Sequence, residues 1–477
     1  MAGELSWLKH QAMRPGRPLR CDHRQSAALS FSGYCCIGAL AAAAGCVAAV
    51  SPVAFAALLL ASLLLVPLVA TRPSVKLAPL MILVISPSVV LPDLDVADLN
   101  GDSLQKFAVL GGILAIIASY GLRRTSHGLW AGGLLAFALV VSILDFGGEI
   151  LSDTGTATRA FFGFALPWLV LFIKWPLEAF DDVLTFLSRL PALSIMVGLL
   201  LQVADLSDVV ATDVDGIPRL QGASIAPHLA MLCFVAIIAG LTLAEASPRP
   251  SQRAVLTINI AILLGTVTRG AIVASLFVII VFAVRALSAR TSLGQLARRA
   301  GKFVALVSFC ALVVTLPEII SRSTGNSYEG TLNTSGRDAA WDFYLGLALE
   351  SPVTGKGLGF SSVANREFQP AGVQSAFEAP HNEYIHVLLD MGVMLGVGYA
   401  LIIAGLFLHV SRRIERPLRP LVLSVACALA VYSAVDNTFS TPQLMVTLML
   451  YISVLAIPNR ESVADSRGST LIGELRG

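Results

Sequence analysis

Charge is what this chain has least of. Only 13% of its 477 residues are Asp, Glu, Lys or Arg, against 56% hydrophobic, and the mean hydropathy is +0.77. That balance excludes a soluble enzyme with one large core. Cysteine is also sparse. The seven, Cys21, Cys35, Cys36, Cys46, Cys233, Cys310 and Cys427, fall in apolar runs or in the basic amino-terminal stretch. No external loop holds one, so neither a disulfide framework nor a zinc spacing can be drawn, and they read as small apolar fillers. A phosphate loop is missing too. "SPVTGKGLGF" carries Gly355, Gly357 and Gly359, but it lacks the Gly-Lys-Ser/Thr order and no strand precedes it. It reads either as a flexible turn that lets the chain double back, or as backbone amides lining a substrate.

What is present is a succession of apolar runs of membrane-spanning length. They fall at 27–50, 52–70, 77–91, 107–122, 129–145, 160–175, 184–204, 225–245, 254–268, 270–288, 303–319, 384–410, 419–435 and 443–458. The third is short, carries Pro87 and suits a re-entrant segment. The expected fold is therefore all-α, a polytopic bundle of 12–14 spans. Lys and Arg alternate by side. With a cytoplasmic amino terminus, one set of loops and tails holds 24 of the 33 basic residues and the other holds 8, with Arg189 inside a span. The positive-inside rule then places both termini in the cytoplasm. The expected organisation is a basic tail over 1–26, amino-terminal helices over 27–204, central helices over 205–319, an external loop over 320–383, carboxy-terminal helices over 384–458 and a tail over 459–477. The first apolar run is too long for a signal peptide and continues into a second. It reads as an uncleaved helix, and Met13 is an alternative start.

Residues 320–383 form the one large loop, and a loop of that length in a compact membrane domain is usually functional. Within it, "TSGRDAAWDFYLGLALES" predicts an amphipathic helix capped by Thr334 or Ser335, with Trp341, Tyr344, Leu345 and Ala348 on its apolar face and Arg337 in its first turn. Such a helix suits the membrane–water boundary. At the loop's end, "EAPHNEYIHVLLDMG" sets Pro380, His381, Asn382 and Glu383 in the first turn of a long apolar helix. A helix amino end is electropositive, which favours a neutral imidazole able to accept a proton and a diphosphate nearby. The plainer alternative is a helix cap with an incidental histidine. Two more external arginines stand apart. Arg219 lies in "DGIPRLQGASIAPHLAM", after Asp205, Asp208, Asp213 and Asp215, and Arg269 lies in the tight "GTVTRGAIV" turn. Each fits either an anionic ligand or, for Arg269, snorkelling to lipid headgroups. Within spans, Arg189 and Asp390 should face the bundle interior and pair with other helices. Lys356 reads as a solvated loop charge.

Together these fragments resemble the O-antigen ligase and O-antigen polymerase superfamily. "SGRDAAWDFYLGLALESPVTGKGLGF" and then "APHNEYIHVLLDMGVMLGVGYAL" follow that family's Arg-x-x-x-Trp helix, its Pro-x-x-Gly-x-Gly turn and its His-Asn-x-Tyr helix start. "RLQG" is similar to its Arg-Leu-x-Gly element and "TRGA" to its Ser-Arg-Gly-Ala element, with Thr268 in place of the serine. "PH" stands where Pro-Asn is frequent, which weakens any role for His228. The likeness covers about 215–400; the first 200 residues match only as hydropathy.

The resemblance implies a bacterial inner-membrane glycan transferase working on the periplasmic face, without a cofactor, metal or nucleotide sugar. It moves a glycan from an undecaprenyl-diphosphate carrier to the hydroxyl of a glycan or a lipid A-core acceptor, in O-antigen or exopolysaccharide biosynthesis. It assigns Arg337 and His381 to catalysis and Arg219, Arg337 and Arg269 to the diphosphate, with Trp341, Asn382, Glu383 and Tyr384 in support. Membrane lipids, a chain-length regulator and export proteins are the implied partners, and nucleic acid is not. The chemistry agrees, because a departing diphosphate needs cations and an acceptor hydroxyl needs a base. Polymerase is favoured slightly over ligase. The rival readings are a lipid-linked oligosaccharide flippase or other transporter, and an export scaffold. A transporter site belongs near the midplane between repeats, and no internal repeat is visible here.

Overall fold

The structure, a computed structural model, describes residues 52–86, 101–123, 130, 132–137, 140, 154–212, 216–246, 249–288, 337–368 and 379–457. All of these lie in one compact unit, Ala44–Gly477. The helices are α1 Pro52–Val69, α2 Pro73–Ile85, α3 Gly101–Tyr120, α4 Thr154–Leu169, α5 Ala179–Leu187, α6 Leu190–Val203, α7 Ala226–Ala246, α8 Pro250–Gly265, α9 Arg269–Ser288, α10 Arg337–Glu350, α11 Phe360–Phe368, α12 Glu383–Arg413, α13 Arg419–Ser433 and α14 Pro442–Leu455. The expected spans 27–50 and 303–319 fall outside the described residues, as does most of 129–145.

Apolar residues on every side of α7 and α14 decide what sits innermost, since a helix without a polar face has nowhere to go but inside. Leu229 to Leu243 of α7 and Gln443 to Leu455 of α14 are buried without a break. Thr242 and Tyr451 join the two helices by a hydroxyl–hydroxyl bond of 2.9 Å. Around them pack α5, α6, α8 and α9 on one helix and α4 and α5 on the other. In contrast, α12 turns Val393, Met394, Val397 and Leu401 outward, as a lipid-facing helix does. Among the described residues, α7 and α12 are each long and apolar enough to cross a membrane. The protein is an all-α membrane protein.

Three local features differ from the sequence reading. The expected span 184–204 is two helices, α5 and α6, meeting at a 49° bend. Pro191 lies in the first turn of α6 and has no amide to continue the ladder of α5, and Arg189 takes the N-cap position at the break. A two-stranded antiparallel hairpin, β1 Val210–Thr212 and β2 Pro218–Leu220, interrupts the helices and pairs Arg219 with Ala211. Finally, α12 is broken at Gly392, where φ is 67° and ψ −179°, a region that only glycine enters without strain.

That break is filled by the glycine-rich turn. In an unbroken helix the amides of Val393 and Met394 would donate to Leu389 and Asp390. Here they donate instead to the carbonyls of Pro352 (2.8 Å) and Val353 (3.2 Å). The Leu389 and Asp390 carbonyls accept from Lys356 (2.7 Å) and Gly357 (3.0 Å). Two helical hydrogen bonds are thus exchanged for four to the loop. Neither sequence reading of this turn anticipated such a clasp. Lys356 is also not the solvated charge expected: it pairs with Glu350 at 2.8 Å, lies 5.6 Å from the Phe360 ring centroid, and its side chain is 19% exposed.

Candidate active site

The large loop contributes α10, held at both ends of its first two turns. The Arg337 guanidinium donates to the Val435 carbonyl, and Trp341 Nε1 donates to Pro380 O at 2.7 Å. The buried face of α10 is Ala340, Tyr344 and Ala348, packed on Phe360, Val363, Ala364 and Leu389, with Phe343 and Leu347 alongside. Leu345, expected on that face, is outside it and 37% exposed. The stripe runs at i, i+4 and i+8, so Ala340 takes the place given to Leu345. Burying Tyr344 alone contributes about 1.5–3 kcal/mol, which makes α10 a docked element rather than a helix adrift at the boundary. The expected caps Thr334 and Ser335 lie outside the described residues.

The helix start after the loop is three residues later than predicted, at Glu383 instead of Pro380. Asn382 is the N-cap, its side-chain oxygen accepting from the amides of Tyr384 (3.0 Å) and Ile385 (3.3 Å). Pro380 and His381 therefore precede α12 rather than filling its first turn. His381 has φ +47°, in the left-handed region, and its Nδ1 is 3.5 Å from Asp436 Oδ1. Glu383, 3% exposed, accepts from the amides of Thr438 (2.6 Å) and Phe439 (3.1 Å). Tyr384 is exposed, and its hydroxyl donates to the Ala430 carbonyl at 2.7 Å. It ties α12 to α13 rather than entering a pocket.

The turn after α13 is thus the meeting point. Arg337 reaches its residue 435, His381 its residue 436 and Glu383 its residues 438 and 439. The start of α9 presses on the same turn. A Cβ on Gly270 would stand 2.7 Å from Val435 Cγ2 and 3.1 Å from the Tyr432 ring, so Arg269 is carried to its edge. Arg219 approaches through the neighbouring 266–268 turn, with Nε donating to Thr266 O at 2.9 Å and Nη2 to Thr268 Oγ1 at 3.0 Å. That bond needs a hydroxyl, which explains why threonine serves where the family motif has serine. Val267, between them, has φ +53°, a costly conformation for a β-branched residue. Strained backbone at both Val267 and His381 is what functional sites tend to hold.

Residues 254–400 match the family model described as O-Antigen ligase. Over that stretch the chain is similar to this family, and the match supports the O-antigen ligase and polymerase superfamily and a membrane glycan-transfer role in O-antigen biosynthesis. The matched stretch includes Arg269, Arg337 and His381, while Arg219 and Asp436 fall outside it. No curated protein matches the chain.

Two residues escaped the sequence reading. Asp436, 7% exposed, is the acidic member of a short turn between two apolar helices, the same signal that drew attention to Arg269. His386 stands three residues after Glu383 and four before Asp390, a helical spacing legible in the sequence. Its Nδ1 is 3.3 Å from Glu383 Oε1 and its Nε2 3.3 Å from Asp390 Oδ2. Asp390 faces inward as expected; besides His386, its side chain accepts from Gly359 N at 2.8 Å and Ser361 N at 3.4 Å, where the glycine loop enters α11. Arg189, also expected in the interior, lies instead at the α5–α6 break and lines a small cavity with Arg249 and Gln252. Among the described residues no group of three or more His, Cys, Asp and Glu side chains is arranged to hold a metal.

Proposed function

We propose that the protein is a metal-independent glycosyltransferase of the bacterial inner membrane. It moves a saccharide from an undecaprenyl-diphosphate carrier to an acceptor hydroxyl at the periplasmic face. In the step, the bond between the anomeric carbon and the diphosphate oxygen breaks and its electron pair leaves with the diphosphate. The acceptor oxygen bonds to the anomeric carbon, and its proton passes to His381. Arg337, with Arg219 from β2 and Arg269 from the start of α9, stabilises the charge gathering on the leaving diphosphate. Asp436 orients the His381 ring and supports the imidazolium that forms. Asn382, Glu383 and Trp341 hold the backbone on which these groups stand. The outward apolar face of α12 offers the polyprenyl tail a wall.

The observation that carries this reading is that Arg337 and His381, 44 positions apart, meet successive residues of one turn, Val435 and Asp436. A base and a planar cation side by side are what transfer from a diphosphate requires. The lean towards polymerase over ligase stays as the family's breadth sets it. Purified protein given lipid-linked donor and acceptor tests the reading: Arg337→Ala should abolish most turnover, and Arg337→Lys should rescue poorly because a point charge lacks the planar fork. Full rescue by lysine would remove the bidentate role.

A further inference from the structure

A cavity with a mixed polar and apolar lining adjoins the turn. It measures about 170 Å³ and is walled by residues of α3, α4, α11 and α12. Lys106, Phe164, Ser362, Glu383, His386 and Asp390 line it. Neither Arg219, Arg269 and Arg337 nor His381 is part of its wall. At roughly 10–15 Å³ per water the space equals about a dozen waters, close to the dozen heavy atoms of one hexose ring.

The lining selects the occupant. Two carboxylates exclude a diphosphate, and four ionisable side chains exclude a polyprenyl chain. Acceptors from Glu383 and Asp390 beside donors from Lys106 and the Ser362 hydroxyl suit an uncharged polyol, each of whose hydroxyls gives and takes one bond. Phe164 supplies the flat apolar surface on which the C–H face of a sugar ring rests. His386 is held between the two carboxylates, Nδ1 3.3 Å from Glu383 Oε1 and Nε2 3.3 Å from Asp390 Oδ2, which fixes the plane of its ring in the cavity wall. Glu383 belongs to both places: one oxygen faces His386, and the other accepts from Thr438 and Phe439, just past Asp436. Ser440, on the same turn, lines the cavity mouth.

We infer that this cavity binds one sugar unit of the acceptor glycan and presents its hydroxyl to His381, an inference that rests on the proposed transfer reaction. The probe is the oligosaccharide freed by mild acid from the producing cell's own lipid-linked donor, its binding to the full-length purified protein measured by equilibrium dialysis. Ala160→Trp, which fills the cavity from α4, and Ser440→Trp, at the exposed mouth where folding is undisturbed, should each weaken binding at least tenfold. Val203→Trp, at the exposed end of α6, should leave it unchanged. Equal binding by wild type and both cavity variants overturns the inference, as does a wild type that binds no saccharide. Donor turnover is followed in parallel: a wild type that binds the saccharide through this cavity yet transfers nothing sinks the transfer reading and leaves the sugar site standing.

Discussion

Replacing Gly392 by alanine tests whether the break in α12 and the glycine turn form one device. The backbone at Gly392 lies where non-glycine residues pay about 1–3 kcal/mol. An added Cβ would lie 2.4 Å from Val353 O and 2.5 Å from Gly355 N. Both obstacles are backbone, so no side-chain rotation relieves them, and overpacking adds roughly 1–3 kcal/mol. The expected loss is therefore about 2–6 kcal/mol, concentrated in the clasp. Gly355→Ala meets Asp390 O, Gly392 N and Met391 N at 2.6 Å from the other side. Once the first substitution has opened the clasp, the second should cost much less than it does alone. Detergent-solubilised protein heated in steps and run on size exclusion gives the assay. Each single variant should lose its monodisperse peak at a lower temperature, and the double variant should fall little further. A Gly392→Ala protein with unchanged heat tolerance, or strictly additive singles, would refute the clasp.

Three further outcomes follow from the same contacts. Thr268→Ser should transfer glycan at close to the normal rate, whereas Thr268→Val removes the acceptor from Arg219 and should slow turnover roughly tenfold to a hundredfold, since a bond to a charged group is worth about 1.5–3 kcal/mol; equal rates for the two would detach Arg219 from the mechanism. Glu383→Ala strands the amides of Thr438 and Phe439 at about 1–3 kcal/mol each, so it should lower heat tolerance clearly, while Glu383→Gln, which keeps an oxygen acceptor, should lower it less, as read by the same size-exclusion assay. Transfer by purified protein should persist in excess chelator without nucleotide, and turnover lost to chelator but restored by Mg²⁺ or Mn²⁺ would contradict metal independence.

Much of this arrangement was legible in the residues. Apolar runs located α7, α9, α12, α13 and α14 within a few residues, because hydropathy and length are set by the bilayer itself. Arg337, Trp341 and His381 could be singled out because polar groups beside membrane-length runs need a reason. The clasp was not legible: nothing local tells whether Gly355 and Gly357 bend freely or fill a gap in a helix 35 residues away. The bend at Arg189 was hidden because the residues on both sides are equally apolar, so hydropathy runs straight across it. Asp436 went unseen because its meaning lies in its partner, and the approach of His381 is a tertiary fact.

The most direct test of the central claim is the single-turnover rate of transfer from lipid-linked donor by purified, correctly inserted His381→Ala protein beside wild type. Removal of a general base should slow the step by about 10²–10⁴-fold while donor binding, held by the arginines, stays close to normal. A His381→Ala enzyme that transfers glycan at nearly the wild-type rate would contradict the account and leave His381 a strained residue ahead of a helix cap.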